Sequence, residues 1–144
     1  MDSQSADAQM MQVLLHEIGH VVEWYWLKGK GERDQARAEG FATWFEYYAS
    51  EYSEITRKSI SRSNLGESII NAGRTYIYKD SFAPDLDSYA NAAAPFAAIV
   101  SRRGIYGLAK VYNAMSQNNL SFNEAIKKEL GWSAERLMKE TSSL

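Results

Sequence analysis

The scarcity of helix-breaking residues is the feature that most restricts how this chain can fold. Only two prolines occur in 144 residues, Pro84 and Pro95, and strict alternation of apolar and polar residues, which is typical of strands, is rare. Proline inside a helix removes a backbone hydrogen bond, so stretches without it can stay helical. The sequence therefore predicts a nearly all-α chain.

Capping residues and loop-forming stretches divide the chain into successive helices. A first helix is predicted from about Ser5 or Asp7, as N-cap, to about Lys28, with Gly29 ending it, and a second over about 34–52. Asn64 is the predicted N-cap of a third helix. A fourth is predicted over about 87–103, and Pro95 should kink it unless the helix begins later.

Two short helices are predicted near the C-terminus. Ser121 and Glu124 have the spacing of a capping box, and Gly131 marks the end of the helix that they begin. Ser133 is the predicted cap of a last short helix. With 144 residues and no internal repeat, the chain is expected to form one domain over 1–144.

Composition excludes several classes of protein. The net charge of −2 and the lack of a basic stripe argue against nucleic-acid binding. No apolar run approaches the roughly 20 residues of a membrane span, and the opening "MDSQSADAQMMQ" is not a signal peptide. The location of the protein is therefore unknown, with the cytoplasm as the default expectation. Cysteine is absent, so a zinc ion would be held by nitrogen and oxygen.

The stretch "LLHEIGHVVEW" contains the only two histidines, His16 and His20. Residues four apart on a helix lie one turn above each other, so both imidazoles can face one ion. Glu17 lies at the flank of this pair, within reach of a water on the metal. The stretch matches the H-E-x-x-H motif of zinc peptidases. The simpler alternative to a metal site is a helix that packs on the core and carries a pair of histidines on its surface.

A catalytic zinc site needs a third protein ligand and an open position. No histidine remains, so the candidates are acidic: Glu23, Glu32, Asp34, Glu39 and Glu46. Glu23 is one turn beyond His20 on the same helix, where it can hardly complete a tetrahedron with His16. Glu32 and Asp34 belong to the loop. Glu39 lies on the second helix, which a helical hairpin would place against the first.

The motif and its surroundings resemble the gluzincin metallopeptidases. The stretch "HEIGH" is followed, after eighteen residues (39 − 20 − 1 = 18), by "EGFATWFE". This pattern is similar to that of the thermolysin-like catalytic domains of the M1 aminopeptidases and the peptidase MA-like families. The stretch from "YANAAAPF" to "ERLMKE" resembles their C-terminal helices, so most of the chain from about Gln12 is covered. The resemblance implies that Glu39 is the third ligand and that Glu46 lies in the outer shell, around the ligands.

The resemblance also implies a fold and a reaction. The chain would be the helical part of a thermolysin-like zincin domain, with zinc helices at about 5–52 and a C-terminal helical part at about 64–144. The reaction would be zinc-dependent hydrolysis of a peptide or protein substrate, with Glu17 as general base. Tyr89 is the expected stabiliser of the oxyanion, and Tyr76 and Tyr78 are its rivals.

The chain also departs from the family pattern. Only fifteen residues precede His16, so the β-sheet that holds the substrate in gluzincins is expected to be absent or very reduced. The G-x-M-E-N element of the M1 exopeptidases is missing, which leaves aminopeptidase activity without support. A further domain or chain would then complete the substrate cleft. The alternative function is a non-catalytic binding or structural module that retains the metal site.

Two glycines lie beside the expected ligands. Glycine inside a helix costs about 1 kcal/mol relative to alanine, so Gly19 and Gly40 need a reason. We expect Gly19 to let the glutamate-bearing helix approach closely, and Gly40 to do the same from the other side. The aromatic residues around them are expected to belong to the core: Trp24, Phe41, Trp44 and Phe45.

Overall fold

The computed structural model describes residues 3–30, 34–51, 62–74 and 85–144. In chain order, the helices in these residues are α1 (Ser3–Leu27), α2 (Gln35–Ser50), α3 (Arg62–Arg74), α4 (Leu86–Asn118), α5 (Phe122–Leu130) and α6 (Ala134–Ser142). No strand occurs in these parts of the chain. The predicted all-α class is confirmed.

Local capping sets the helix ends much as predicted. The Asp34 side chain accepts a hydrogen bond from a backbone N–H in the first turn of α2. Ser121 and Glu124 form the capping box of α5, with both of its hydrogen bonds at 3.2 Å. Gly131 ends α5 with φ 71°, and Ser133 caps α6. Each is a contact over a few residues, which explains why the sequence alone predicts it.

One predicted helix cap and one predicted helix kink were wrong. Asn64 lies inside α3, which begins at Arg62, and is therefore not its N-cap. The fourth helix continues through Pro95, and its backbone departs from helical geometry at Gly104 instead, with φ 69° and ψ 177°. A positive φ is easy for glycine and costly for other residues, so Gly104 is where the helix can change direction.

The fourth helix is the centre of the molecule. It contacts each of the other five helices that the structure describes. Its side chains Phe96, Ile99 and Tyr112 are fully buried, and they pack with Phe41 of α2 in one hydrophobic core. Edge-to-face aromatic contacts, such as the 5.3 Å contact between the rings of Phe41 and Tyr112, contribute to this packing.

The first helix has a buried face and an exposed apolar face. The exposed side chains include Met10, Val13, Leu14, Ile18, Val21, Trp24 and Tyr25. Trp24 is 65% exposed, so its assignment to the core was wrong, whereas Phe41 and Trp44 are buried and Phe45 is partly buried as expected. No helix in the described part of the chain is both long and apolar enough to cross a membrane. Among the described residues, these side chains form an exposed apolar surface on the outer side of α1.

The two glycines act at two different helix contacts. A Cβ atom on Gly19 would lie 2.9 Å from Cα of Ala42 on α2, so Gly19 permits the close approach of α1 and α2 that was predicted. Gly40 instead faces α4, where a Cβ atom would lie 2.2 Å from the carbonyl oxygen of Ala92. The expectation that Gly40 also serves the contact between α1 and α2 was therefore wrong.

We expect Gly40→Ala to destabilise the protein, because the methyl group would collide with backbone and only a shift of α2 or α4 would relieve it. Overpacking of this kind typically costs about 1–3 kcal/mol. Gly66→Ala is the matched control, since its Cβ would meet the side chain of Tyr47 at 3.0 Å, which can move. Urea unfolding of both variants measures the difference. Equal stability of the two variants would contradict this account of Gly40.

Candidate metal centre

Three side chains from the first two helices converge on one point. His16 and His20 lie on α1, four residues apart, and Glu39 lies on α2. Nε2 of His16 is 2.9 Å from Oε2 of Glu39, and Nε2 of His20 is 3.4 Å from the same oxygen. One ligand atom from each residue lies within 4.8 Å of the other two. We call this set the His16–His20–Glu39 group.

The donor set of this group suits a transition-metal ion. Two imidazole nitrogens and one carboxylate oxygen are the ligands of many catalytic zinc sites, which keep a fourth position open. All three side chains are partly exposed, so an ion can reach them from solvent. The close approach of α1 and α2 at Gly19 places the ligands of the two helices at this separation.

The other acidic candidates lie elsewhere. Glu23 is buried and its carboxylate accepts hydrogen bonds from Arg37 and Tyr112. The carboxylate of Asp34 caps α2. Glu32 lies outside the described residues. Of the described candidates, Glu39 alone contacts both histidines.

Glu46 contacts the far side of the His16 ring. Its Oε1 atom lies 3.1 Å from Nδ1 of His16, and its side chain is nearly buried. A proton on Nδ1 that is donated to Glu46 leaves Nε2 directed at Glu39 and at the centre of the group. Carboxylates commonly fix metal-binding histidines in this way. Glu46 therefore contacts one histidine of the group and is not a member of the group.

The same two carboxylates influence the protonation of His16. Burial lowers its pKa, but the hydrogen bonds and negative charges of Glu46 and Glu39 outweigh burial and raise the pKa above its usual value. Without a metal, His16 therefore holds a second proton readily. A metal ion on Nε2 must displace that proton, so metal binding should release protons and weaken as the pH falls.

A cavity of about 310 Å³ opens beside His16. It is lined by Gln12, Val13, His16, Glu17, Thr43, Glu46, Leu65 and Tyr89. Glu17 is exposed at its edge, one position away from the ligand face of α1. Its carboxylate can therefore serve a molecule in the cavity without belonging to the His16–His20–Glu39 group.

Tyr89 reaches this cavity from the first turn of α4. Its ring lies 5.8 Å from that of His16, centroid to centroid, and the rings are nearly perpendicular. Burial, followed by the negative charge of Glu39, raises the pKa of Tyr89 above its ordinary value. The hydroxyl is therefore protonated at neutral pH and able to donate a hydrogen bond. The rivals Tyr76 and Tyr78 lie outside the described residues.

A second cavity, of about 520 Å³, lies on the His20 side of the group. Its lining includes Glu23 and Arg37, whose partner Tyr112 the sequence analysis did not single out. From the sequence, Glu23 was considered only as a metal ligand and Arg37 was not considered, although Arg37 is a charged residue two positions before Glu39. Nothing local connects Tyr112 with them, since 89 positions separate it from Glu23.

Comparison of the chain with protein-family models, with curated proteins and with solved structures found no match. The case for a function therefore depends on the chemistry of the residues that surround the His16–His20–Glu39 group.

Proposed function

We propose that this protein is a zinc-dependent peptidase of the gluzincin type, built on the helical part of a thermolysin-like domain. The observation that carries the proposal is the convergence of His16, His20 and Glu39 within 4.8 Å. Glu17 and Tyr89 line the cavity beside them, and this supports a catalytic use of the site. A plain pair of surface histidines would need none of these neighbours.

Zinc is the metal that this donor set favours. Imidazole and carboxylate ligands without thiolate suit several divalent ions, but two histidines and one glutamate with an open position are typical of zinc hydrolases. When bound, zinc would polarise the substrate carbonyl and lower the pKa of its water to about 7. His16, His20 and Glu39 would hold it, and Glu46 would keep the His16 ring in place.

The side chains around the ion would divide the remaining chemistry. Glu17 takes a proton from the attacking water and later delivers it to the leaving amine. The Tyr89 hydroxyl donates a hydrogen bond to the oxyanion, which forms on the substrate's carbonyl oxygen as water adds to the carbonyl carbon. Both residues line one cavity, so they can act on the same substrate group.

The substrate would be a peptide or protein, and a further domain or chain would complete the cleft. The exposed apolar face of α1 supports this partner, because large contiguous apolar patches usually mark interaction sites. Glu17 belongs to the same exposed side of α1. A partner on this face would therefore lie close to the substrate side of the metal.

A non-catalytic binding or structural module with the same metal site is the second candidate. It is favoured by the absence of any strand in residues 3–30, 34–51, 62–74 and 85–144, because peptidases commonly hold extended substrates on a strand.

Metal analysis combined with a peptide library would decide between the two functions. We expect about one zinc per chain in the purified protein and cleavage of library peptides that a chelator stops. Stoichiometric zinc without cleavage, either alone or with a co-purifying partner, would favour the module. A protein that neither carries zinc nor takes it up on addition would overturn the proposal.

Replacement of Tyr89 by phenylalanine should slow the chemical step with little change in zinc content, because the ring remains and only the hydroxyl is lost. Removal of one hydrogen-bond donor to an oxyanion typically lowers kcat by about 10²–10³-fold. Tyr106→Phe is the control, since Tyr106 lies on the same helix but is exposed and lines neither cavity. Single-turnover rates of both variants give the comparison, and an unaltered rate for Tyr89→Phe would leave Tyr89 with a packing role only.

This chain by itself should be a poor general protease. Main-chain hydrogen bonds to a sheet edge supply affinity for extended peptides regardless of their side chains. No strand occurs in the part of the chain that the structure describes, and the open site admits water that weakens electrostatic stabilisation. We expect slow or undetectable cleavage of casein. Efficient cleavage that chelator stops, with Glu17→Gln inactive, would show that the helices suffice.

A further inference from the structure

A buried polar network joins three helices next to the metal ligands. Oε2 of Glu23 on α1 accepts a hydrogen bond from Nε of Arg37 on α2 at 3.3 Å and a second from the hydroxyl of Tyr112 on α4. The three residues are 5%, 8% and 0% exposed, in that order. We call them the Glu23–Arg37–Tyr112 network. None of them belongs to the mechanism proposed above.

The Tyr112 hydroxyl of the network stays protonated at neutral pH. Arg37 is always charged. Burial, reinforced by the negative charge of Glu23, raises the pKa of Tyr112 well above its usual value, so its hydroxyl stays a donor. The Glu23 side chain therefore accepts hydrogen bonds from donors on two other helices.

A network of this kind is weak evidence for stability. Removing two charges from water costs several kcal/mol for each ion, and apolar residues of similar volume are often as stabilising or better. Hydrogen bonds to a charged group, however, hold atoms in a defined geometry that apolar contacts leave looser. The network therefore contributes more specifically to the relative positions of the three helices than to the free energy of unfolding.

The network lies within about one turn of two ligands. Glu23 follows His20 by three residues, which is about 4.5 Å along α1, and Arg37 precedes Glu39 by two residues, about 3 Å along α2. The ion pair between Glu23 and Arg37 therefore links the two ligand-bearing helices close to the point where His20 and Glu39 meet at 3.4 Å. Tyr112 ties this link to the central helix.

We infer that Glu23, Arg37 and Tyr112 are positioning residues, which hold His20 and Glu39 at the separation that a metal ion needs. This inference rests on the proposed metal site. Metal ligands must be held within about 0.5 Å of their productive positions. Slight rotation of α2 relative to α1 would move Glu39 away from both histidines, and the network opposes that rotation.

A fully apolar replacement of the network separates positioning from stability. In the triple variant Glu23→Met, Arg37→Met, Tyr112→Phe, buried volume is largely kept while every hydrogen bond of the network is lost. We expect a Tm close to that of the wild type but a zinc affinity at least about 10-fold lower, which is the usual scale for loss of groups that support metal ligands. Zinc affinity is measured by competition with a chromogenic chelator, at a temperature where circular dichroism shows full helicity.

Four further single variants complete the experiment. Tyr112→Phe alone should lower zinc affinity and alter the visible spectrum of the cobalt-substituted protein, which reports ligand geometry. Ile126→Val, buried in α5 and not a member of the network, is a mild core control that should lose some stability and no zinc affinity. Arg37→Lys should recover part of the affinity that Arg37→Met loses, because the positive charge returns.

The outcomes distinguish this inference from the proposed function. Wild-type zinc affinity combined with wild-type cobalt spectra in the triple variant and in Tyr112→Phe would overturn the positioning role and leave the metal site intact. A wild-type protein that binds no zinc would overturn the metal site itself, and the positioning role with it.

Discussion

Glu17→Gln should retain one zinc per chain and lose nearly all peptide hydrolysis. A positioned general acid–base group contributes about 10²–10⁴-fold in rate, and glutamine can neither take nor return the proton. Zinc should remain, because Glu17 lines the cavity beside His16 and does not belong to the His16–His20–Glu39 group. The rate is measured on any peptide that the library identifies, at saturating and at low concentration.

Glu129→Gln is the matched control for this loss. Glu129 is exposed on α5 and lines neither cavity near the ligands, so the same chemical change there should leave the rate unaltered. Hydrolysis that continues at the wild-type rate in Glu17→Gln would remove Glu17 from the mechanism. Loss of zinc together with activity would instead show that Glu17 supports the metal.

His20→Ala should abolish zinc binding. A site with three protein ligands has none to spare, and the two that remain would be His16 on α1 and Glu39 on α2. We expect the loss to exceed the about 10–100-fold reduction that is typical when only a supporting hydrogen-bond partner of a ligand is removed. Calorimetric titration with zinc, with circular dichroism to verify the helices, measures it. Wild-type affinity in His20→Ala would eliminate this metal site.

Alanine substitutions of two acidic residues test directly whether Glu39 is the third ligand. Glu39→Ala removes a carboxylate that contacts both histidines, so zinc affinity should fall nearly as far as in His20→Ala. Asp34→Ala removes the cap of the same helix, which typically costs about 1 kcal/mol of stability, and should leave zinc affinity close to that of the wild type. Equal losses of affinity in the two variants would overturn the assignment of Glu39.

The sequence alone determined the features that depend on neighbours a few residues apart. The all-α class follows from helical patterning and from the rarity of proline. The capping box of Ser121 and Glu124 and the end of α5 at Gly131 were predicted because each motif lies within a few residues. The shared direction of His16 and His20 was predictable for the same reason, since one helical turn relates them.

Only tertiary packing decided which faces of the helices contact one another. Spacing left five acidic residues as candidate ligands, because the rotation of α2 about its axis is set by its contacts with α1 and α4. That rotation brings Glu39 to the histidines and turns Gly40 toward Ala92. The side of α1 that is exposed, and with it Trp24, depends on the same packing.

The hydrogen bond between Tyr112 and Glu23 shows most clearly what cannot be predicted from local sequence. Tyr112 meets Glu23 across 89 positions, and no local pattern joins them, because the contact exists only once α4 has packed against both ligand-bearing helices. The chain by itself therefore specified the all-α class, several of the helix ends and the pair of histidines. The folded structure selected the carboxylate that completes the group and the buried residues that surround it, since those choices depend on the angles and separations at which the helices pack.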